Sequence, residues 1–303
     1  MARSKSQSKT ASRPQQLDAV NAGSQPAPAT VSARWLLMAL TLTVPAAVLF
    51  TWIVFCLLFW QGSWQLLYHP TSTVGRTPSN IGLAYDSISF AATDTGVAQL
   101  QGWWIPASAA RYTALYLHDR TGNLGDTLNS LSDLHAAQLN VFSFDYRGYG
   151  QSQFEHPSEI RWREDATRAL NYLTGTRHID PHSIVIVGSG LGANLALEIA
   201  AEHPRLAAAV LESPLDSPVD VIFNDARAKL VPARLMVRDR YDLIAPASAL
   251  RVPSLWLMEN PKANSGAADT VFDKVTAPKA RTEQATGRSI TEQIRSWLAD
   301  LPN

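Results

Sequence analysis

The chain has 303 residues, with 26 basic and 26 acidic side chains balancing to a formal charge of zero, and a single cysteine, Cys56. A balanced charge gives no basic face for nucleic acid, and one cysteine excludes both an intramolecular disulfide and a thiolate metal cluster. Beyond the first sixty positions roughly 240 residues remain, enough for one well-filled core.

Residues 1–33 read as a disordered tail rich in Ser, Gln, Ala and Pro, in which Arg3, Lys5, Lys9 and Arg13 face a single acid, Asp18. Residues 35–60, WLLMALTLTVPAAVLFTWIVFCLLFW, hold no charge. That length crosses a hydrocarbon core about 30 Å thick, and the anchor is placed at 34–60. Pro45 is tolerable in such a span, with a kink. A cleaved signal peptide is the rival reading, but its apolar core is shorter and an A-x-A site follows it. Arg34 adds to the N-terminal positive charge and the next charge is Arg76. The bias puts the N-terminus in the cytoplasm and the main domain on the periplasmic or extracytoplasmic side.

Residues 61–84, opening with QGSWQLLYHP, read as a juxtamembrane linker carrying interface-seeking aromatics. From residue 85 to 301 short apolar runs alternate with helical stretches. SISFAA and VAQLQGWWIPA read as paired strands. TALYLH, NVFSFDY, SIVIVG, AAVLES and VPSLWLME follow as further strands, with helices expected around 126–139, 159–174, 191–202 and 290–299. This is the pattern of an α/β fold with a mostly parallel central sheet covered by helices on both faces. Sites in such folds form beyond the C-terminal ends of the strands, so HDRTGN, YRGYGQS and GSGLG are expected to gather at one rim.

No phosphate-binding G-x-x-x-x-G-K-[ST] occurs, and GSGLGA misses the dinucleotide pattern because its third glycine is displaced. His69, His118, His135, His156, His178, His182 and His203 show no metal-ligand spacing. No cofactor, metal or nucleic-acid partner is therefore expected.

Taken together, LLYHP, GWWIP, LYLHDRTGNLGD, FSFDYRGYGQS, DATRALNYL, DPHSIVIVGSGLGANLALEIA, LESPLDS and RVPSLWLME resemble the α/β-hydrolase superfamily, in its membrane-anchored, BEM46-like "abhydrolase domain" branch. The resemblance runs from about Leu66 to Leu301. It implies a serine hydrolase of lipid, ester, thioester or peptide substrates, with a small cap around 214–251 and a Ser, Asp and His triad.

On this chain the nucleophile elbow G-x-S-x-G falls on Gly188, Ser189, Gly190, Leu191 and Gly192, so the nucleophile position is Gly190, which has no attacking atom. The acid's place, at the end of a P-x-L-x-[LI]-H-G-x-x-D pattern, holds Lys262, with Glu259 and Asp269 as shifted carboxylates. The triad histidine is expected just before the last helix, where Gly287, Arg288 and Ser289 stand, and no histidine follows His203. The triad thus reads as lost. The pocket and oxyanion-loop region is expected to comprise His118, Asp119, Arg120, Ser189 and Leu191, with Asp119 standing where the family often has glycine; a carboxylate there repels an oxyanion.

Three functions follow from the sequence. The first is a catalytically inactive, membrane-anchored hydrolase-like module that binds a lipid, a peptide or an envelope protein. The second is an active hydrolase with a displaced nucleophile, Ser189, Ser213 or Ser152, served by His118. The third is a purely structural interaction domain that uses the 214–251 segment.

Overall fold

A computed structural model describes residues 31–92, 96–258, 267–283 and 289–301. The chain falls into two compact units, Met1–Trp52 and Ile53–Asn303. The first unit contributes the larger part of helix α1, Ala33–Gly62. Thirty residues at a rise of about 1.5 Å each make this helix long enough to cross a membrane. Its apolar side chains are exposed on every side, from Trp35 and Leu36 to Phe50 and Trp52. Its threonines are satisfied within the helix: the hydroxyls of Thr41, Thr43 and Thr51 donate to the carbonyls of Met38, Ala39 and Ala47 at 3.0, 2.8 and 2.9 Å. Hydroxyls placed in a hydrocarbon phase need such internal pairing.

The second unit is built on eight strands: β1 (Asp86–Ala92), β2 (Ala98–Ile105), β3 (Thr113–Leu117), β4 (Asn140–Asp145), β5 (Ile184–Ser189), β6 (Ala208–Glu212), β7 (Ser254–Met258) and β8 (Lys279–Glu283). Their order across the sheet is β1-β2-β4-β3-β5-β6-β7-β8. β2 pairs antiparallel with both β1 and β4, and all other pairs are parallel. The sheet is therefore mixed and mostly parallel, an α/β-hydrolase fold.

The apolar runs of β3 and β5 show no alternation because helices cover both faces. The two-residue period sorts them instead between two cores. Leu115, Leu117, Ile184 and Ile186 face α3 (Glu159–Asn171) and α4 (Leu191–Glu202), meeting Trp162 and Leu195. Ala114, Tyr116, Val185 and Val187 face α2 (Leu128–Ala136), meeting Leu131 and Leu134, and the C-terminal helix Ile290–Ala299, meeting Ile294 and Leu298.

β8 and a helix, α5 (Ala267–Lys274), were not read from the sequence. β8 has the sequence KARTE and pairs through Lys279 opposite Ser254 at the sheet's edge, where charged residues discourage further strand addition. We number the C-terminal helix α6. The 159–174 helix ends as an α-helix at Asn171 and continues as a wider turn through Tyr172–Thr176. Between β6 and β7 lie four short helical pieces, Asp220–Phe223, Ala226–Leu230, Ala233–Met236 and Ile244–Ala249.

Residues 61–84 are sewn into this unit. Leu67 and Tyr68 are fully buried, and His69–Pro70 pair in parallel with Thr121–Gly122 beside the rim of the sheet.

Candidate functional site

The rim gathers around the β5–α4 turn. A Cβ on Gly188 would overlap the Gly192 carbonyl, and one on Gly192 would stand 2.5 Å from the His118 carbonyl oxygen, closer still to that of Leu117. Both glycines are thus required for strand, turn and helix to pack this tightly. Between them Gly190 has φ +55° and ψ −122°, a conformation that costs an L-residue strain and that glycine adopts freely. Its N–H donates to the Glu212 carbonyl at 2.9 Å, and its own carbonyl accepts from Ala193 N at 3.0 Å to open α4. The backbone is that of a turn presenting one side chain at its apex, with no side chain to present.

Asp119 fills the vacant place. A Cβ built on Gly190 would stand 2.5 Å from Asp119 Cγ and closer still to Oδ1. That same Oδ1 accepts a hydrogen bond from the backbone N–H of Leu191 at 2.8 Å. The amide following the elbow residue is the donor that would stabilise a tetrahedral oxyanion. Here a resident carboxylate already takes it, at the N-terminus of a twelve-residue helix whose dipole favours negative charge.

Ser189 lies on the other side of the turn. By the strand's period it belongs with Val185 and Val187 on the α2/α6 face, where it shares a hydrogen bond with the Tyr116 phenol, as does Ser130. Burial and the nearby Glu212 carboxylate push the Tyr116 phenol above its ordinary range. Ser152 is also committed: its hydroxyl donates to the Asp145 carbonyl and accepts from Gln101 N at 3.0 Å. Ser213 follows β6 at φ +47°, its N–H bonded to the Leu257 carbonyl at 2.8 Å.

His118 is buried in an aromatic chamber. Its ring lies 4.6 Å from that of Tyr146, 5.3 Å from Tyr149 and 6.2 Å from Trp162, while Tyr146 and Trp162 stack at 4.0 Å. Nδ1 sits 2.7 Å from the Asp119 carbonyl, a contact in which the nitrogen carries the proton and donates. Nε2 makes no hydrogen bond and stands 3.8 Å from Asp145 Oδ1. Burial pulls the imidazole pKa down to about 4 despite the raising effects of that carbonyl and of Asp119 and Asp126. Burial also pushes Asp145 up to about 7, opposed by hydrogen bonds from the Leu124 and Gln151 amides. The imidazole is thus held neutral, beside a carboxyl whose ionisation burial opposes, in a chamber walled by rings.

Arg120 serves the rim through its carbonyl, which accepts from His69 N at 3.0 Å and from the Tyr149 hydroxyl at 2.8 Å. Arg147, at the end of β4, pairs with Asp165 at 2.7 Å, not with Asp145, and adds Glu164 at 2.6 Å. Lys262, Glu259 and Arg288 lie outside the described residues, and Asp269 falls in α5. Among the described residues no cluster of three or more His, Cys, Asp or Glu side chains is arranged to hold a metal.

Sequence reasoning missed the ties that close the segment after β6 over this region. Asn194, buried in the first turn of α4, donates to the Leu215 carbonyl at 2.7 Å and accepts from Leu215 N at 2.8 Å. Tyr68 donates to Asp239 at 2.7 Å and shares a hydrogen bond with the Tyr241 hydroxyl at 2.8 Å. Glu159 accepts from the Arg240 and Tyr241 amides. An Asn four residues after the elbow apex was the only local signal.

Known proteins bear on this geometry. The Pyrococcus furiosus esterase Pf2001 superposes with a TM-score of 0.60 at 16% identity, over 78% of this chain and 97% of that one. An alpha-beta hydrolase from Vibrio vulnificus does so with a TM-score of 0.57 at 17% identity, over 73% of this chain and 81% of the other. At those identities the likeness is one of fold. In sequence, the uncharacterized protein Rv2307c of Mycobacterium tuberculosis is 29% identical over 198 residues, 65% of this chain and 68% of its own. Protein bem46 of Schizosaccharomyces pombe is 31% identical over 151 residues, 48% of this chain and half of that protein's length. The model of the Alpha/beta hydrolase family matches residues 82–302. With this fold, this strand order and that match over most of its length, the chain belongs to the alpha/beta hydrolase family.

Proposed function

We propose that this chain is a membrane-anchored α/β-hydrolase-fold protein that does not carry out triad hydrolysis and acts as a ligand-binding or protein-interaction module. One observation carries the reading: the Asp119 carboxylate occupies both the space of the missing nucleophile side chain and the Leu191 amide of the oxyanion site. Acyl transfer needs an attacking oxygen, a base to take its proton and free donors for the developing negative charge. Gly190 supplies no oxygen, and Asp119 places negative charge where the reaction would have to create it. Lys262 and Arg288, at the positions of the acid and the base, support the same reading by residue type.

The displaced-nucleophile alternative is disfavoured by where Ser189 and Ser152 go. Ser189 is tied to Tyr116 on the far face of the sheet, and Ser152 to the β4 backbone. His118 has its protonated nitrogen on a carbonyl and its bare nitrogen toward Asp145 inside the aromatic chamber. The apolar, all-round exposed α1 supports the membrane anchor, and the basic tail before it supports a cytoplasmic N-terminus. A lipid, peptide or envelope-protein partner would then meet the domain beyond that membrane.

The test is reaction of the full chain with a fluorophosphonate probe beside an active esterase. The expected result is no covalent labelling. Stoichiometric labelling that disappears in Ser189→Ala would overturn the proposal in favour of a displaced serine.

A further inference from the structure

A broad groove opens away from the elbow, with a volume of about 680 Å³ and walls that include Trp60, Trp64, Phe154, His156, Ile160 and Arg238. Its aromatic floor is packed: Trp64 stacks on His156 at 4.7 Å, and Phe154 meets the same imidazole edge-on at 5.9 Å. Its rim is apolar and unburied. Phe154 is 79% exposed and Ile160 62%, and Leu230 and Leu235, on the short helices leading into the Met236–Asp239 wall, are 64% and 85% exposed. Phe154 and Ile160 line the groove itself, whereas Leu235 lines an adjoining hollow with Phe223 and Val231 and is joined to the groove through the next residue, Met236; exposed apolar side chains of this kind mark an interaction surface.

Glu155, in the wall of the groove, is paired with Arg161, and the segment that follows Ile222 leaves a positive excess. Residues 226–240, ARAKLVPARLMVRDR, carry five basic side chains and one acid. The acid, Asp239, is used internally, accepting from the Tyr68 hydroxyl and the Glu159 amide. Arg227 is paired with Asp225, and Arg240 donates to the carbonyls of Val237, Asp239 and Arg234. Lys229, Arg234 and Arg238 remain as exposed cations, Arg234 with its stem over the Phe223 ring at 4.7 Å.

Chain continuity identifies the occupant. Trp60 lies in the last turn of α1 and Trp64 in the turn directly after it, so the groove starts where the long apolar helix stops. Trp at the end of such a run is the residue of the membrane–water boundary. The lipid that solvates the helix is therefore the first material the groove meets. Exposed Phe, Ile and Leu beside unpaired Lys and Arg are the two components of interfacial binding to an anionic bilayer.

We propose that the Phe154–Ile160 rim of this groove, together with Leu235 of the adjoining hollow, is a bilayer-docking face. Its apolar side chains enter the leaflet at which α1 ends, and Lys229, Arg234 and Arg238 contact anionic phospholipid headgroups. The proposal rests on the anchor part of the functional reading and is independent of whether the elbow is inactive.

The experiment uses the full chain carrying Cys56→Ser, with a single new cysteine from Phe154→Cys or Leu235→Cys, labelled with an environment-sensitive fluorophore. The control is His182→Cys, at an exposed site on the loop before β5. Each is reconstituted into phosphatidylcholine vesicles with about 30% phosphatidylglycerol and doxyl-labelled lipid. Docking predicts roughly twofold or greater quenching at 154 and 235 and none at 182. It also predicts that this quenching falls by about half when Arg234→Glu and Arg238→Glu are combined or phosphatidylglycerol is omitted. Labels at 154 and 235 as unquenched as at 182, in vesicles that retain the chain through alkaline carbonate washing, would overturn the docking face and leave the anchor standing. Quenching indifferent to both the charge reversals and the lipid charge would overturn the headgroup contacts and admit a purely apolar surface instead. Extraction of the chain by carbonate would overturn the anchor reading, and this proposal with it.

Discussion

Two turns at the same rim of the sheet have met different fates. At the end of β4, Arg147 is 6% exposed and completes a dense polar network. Its backbone N–H and Nε both bond the fully buried Asp165, and its two terminal nitrogens reach Glu164 and Glu155. At the end of β5, the turn is shaped by Gly188 and Gly192 and has glycine at its apex, and the carboxylate set against that apex, Asp119, comes from a different strand end. The first turn holds the fold together. The second is a tight glycine turn whose apex is filled by a carboxylate. Architecture and chemistry can therefore be separated within one site, because backbone geometry is set by glycines and packing while reactivity depends on single side-chain atoms.

The difference can be broken from the Arg147 side first. Replacing it with alanine leaves the buried Asp165 with only the more distant Arg168, at 4.0 Å, as counter-charge, and Arg147→Ala is expected to lower stability by about 3 kcal/mol, measured by denaturant unfolding of the detergent-solubilised chain. A loss below about 1 kcal/mol would demote that network to an ordinary surface cluster.

A second effect, of about 3 kcal/mol, comes from the chamber behind Asp119. His118 has a folded pKa of about 4 against an ordinary 6.5, so the folded state resists taking up its proton. Its contribution to stability is complete above pH 6.5 and is lost as the pH falls through 4. Asp145 has the opposite sign, because its raised pKa of about 7 makes its contribution full below pH 4 and progressively lost toward pH 7. The acid sensitivity should therefore be read as a difference between the native chain and His118→Asn. If the two lose equal stability between pH 7 and 4, the imidazole is not held neutral.

A third effect, about 2–3 kcal/mol, is expected for Gly190→Ser, which places an L-residue at φ +55° and pushes its Cβ into Asp119. The smallest, about 1 kcal/mol, is Asp119→Ala, which removes the carboxylate from the first free amide of α4. An Asp119→Ala variant as stable as the native chain would show that the carboxylate gives the helix no support.

The sequence exposed more of the fold than of the site, for a physical reason. Buried strands such as TALYL and SIVIVG, and the helix from Leu191 to Glu202, are stated locally by runs of apolar residues between glycines. β8 was illegible because an edge strand can consist of charged residues that carry no apolar period. The elbow's backbone was legible from Gly188 and Gly192. What occupies it was not, because Asp119 and Leu191 are 72 residues apart and only the parallel pairing of β3 with β5 brings them together. Tyr68 likewise reads as an interface aromatic in LLYHP, yet it is buried with its hydroxyl between Asp239 and Tyr241, 171 and 173 residues away. Long-range polar contacts leave no periodic trace in the chain.

The most direct test of the occupied elbow is a double-mutant cycle between Gly190→Ser and Asp119→Gly, read as unfolding free energies. If the carboxylate fills the space of the missing side chain, removing it relieves the serine, and the double variant is more stable than the sum of the single changes by about 1 kcal/mol or more. Strict additivity of the two substitutions would contradict the account.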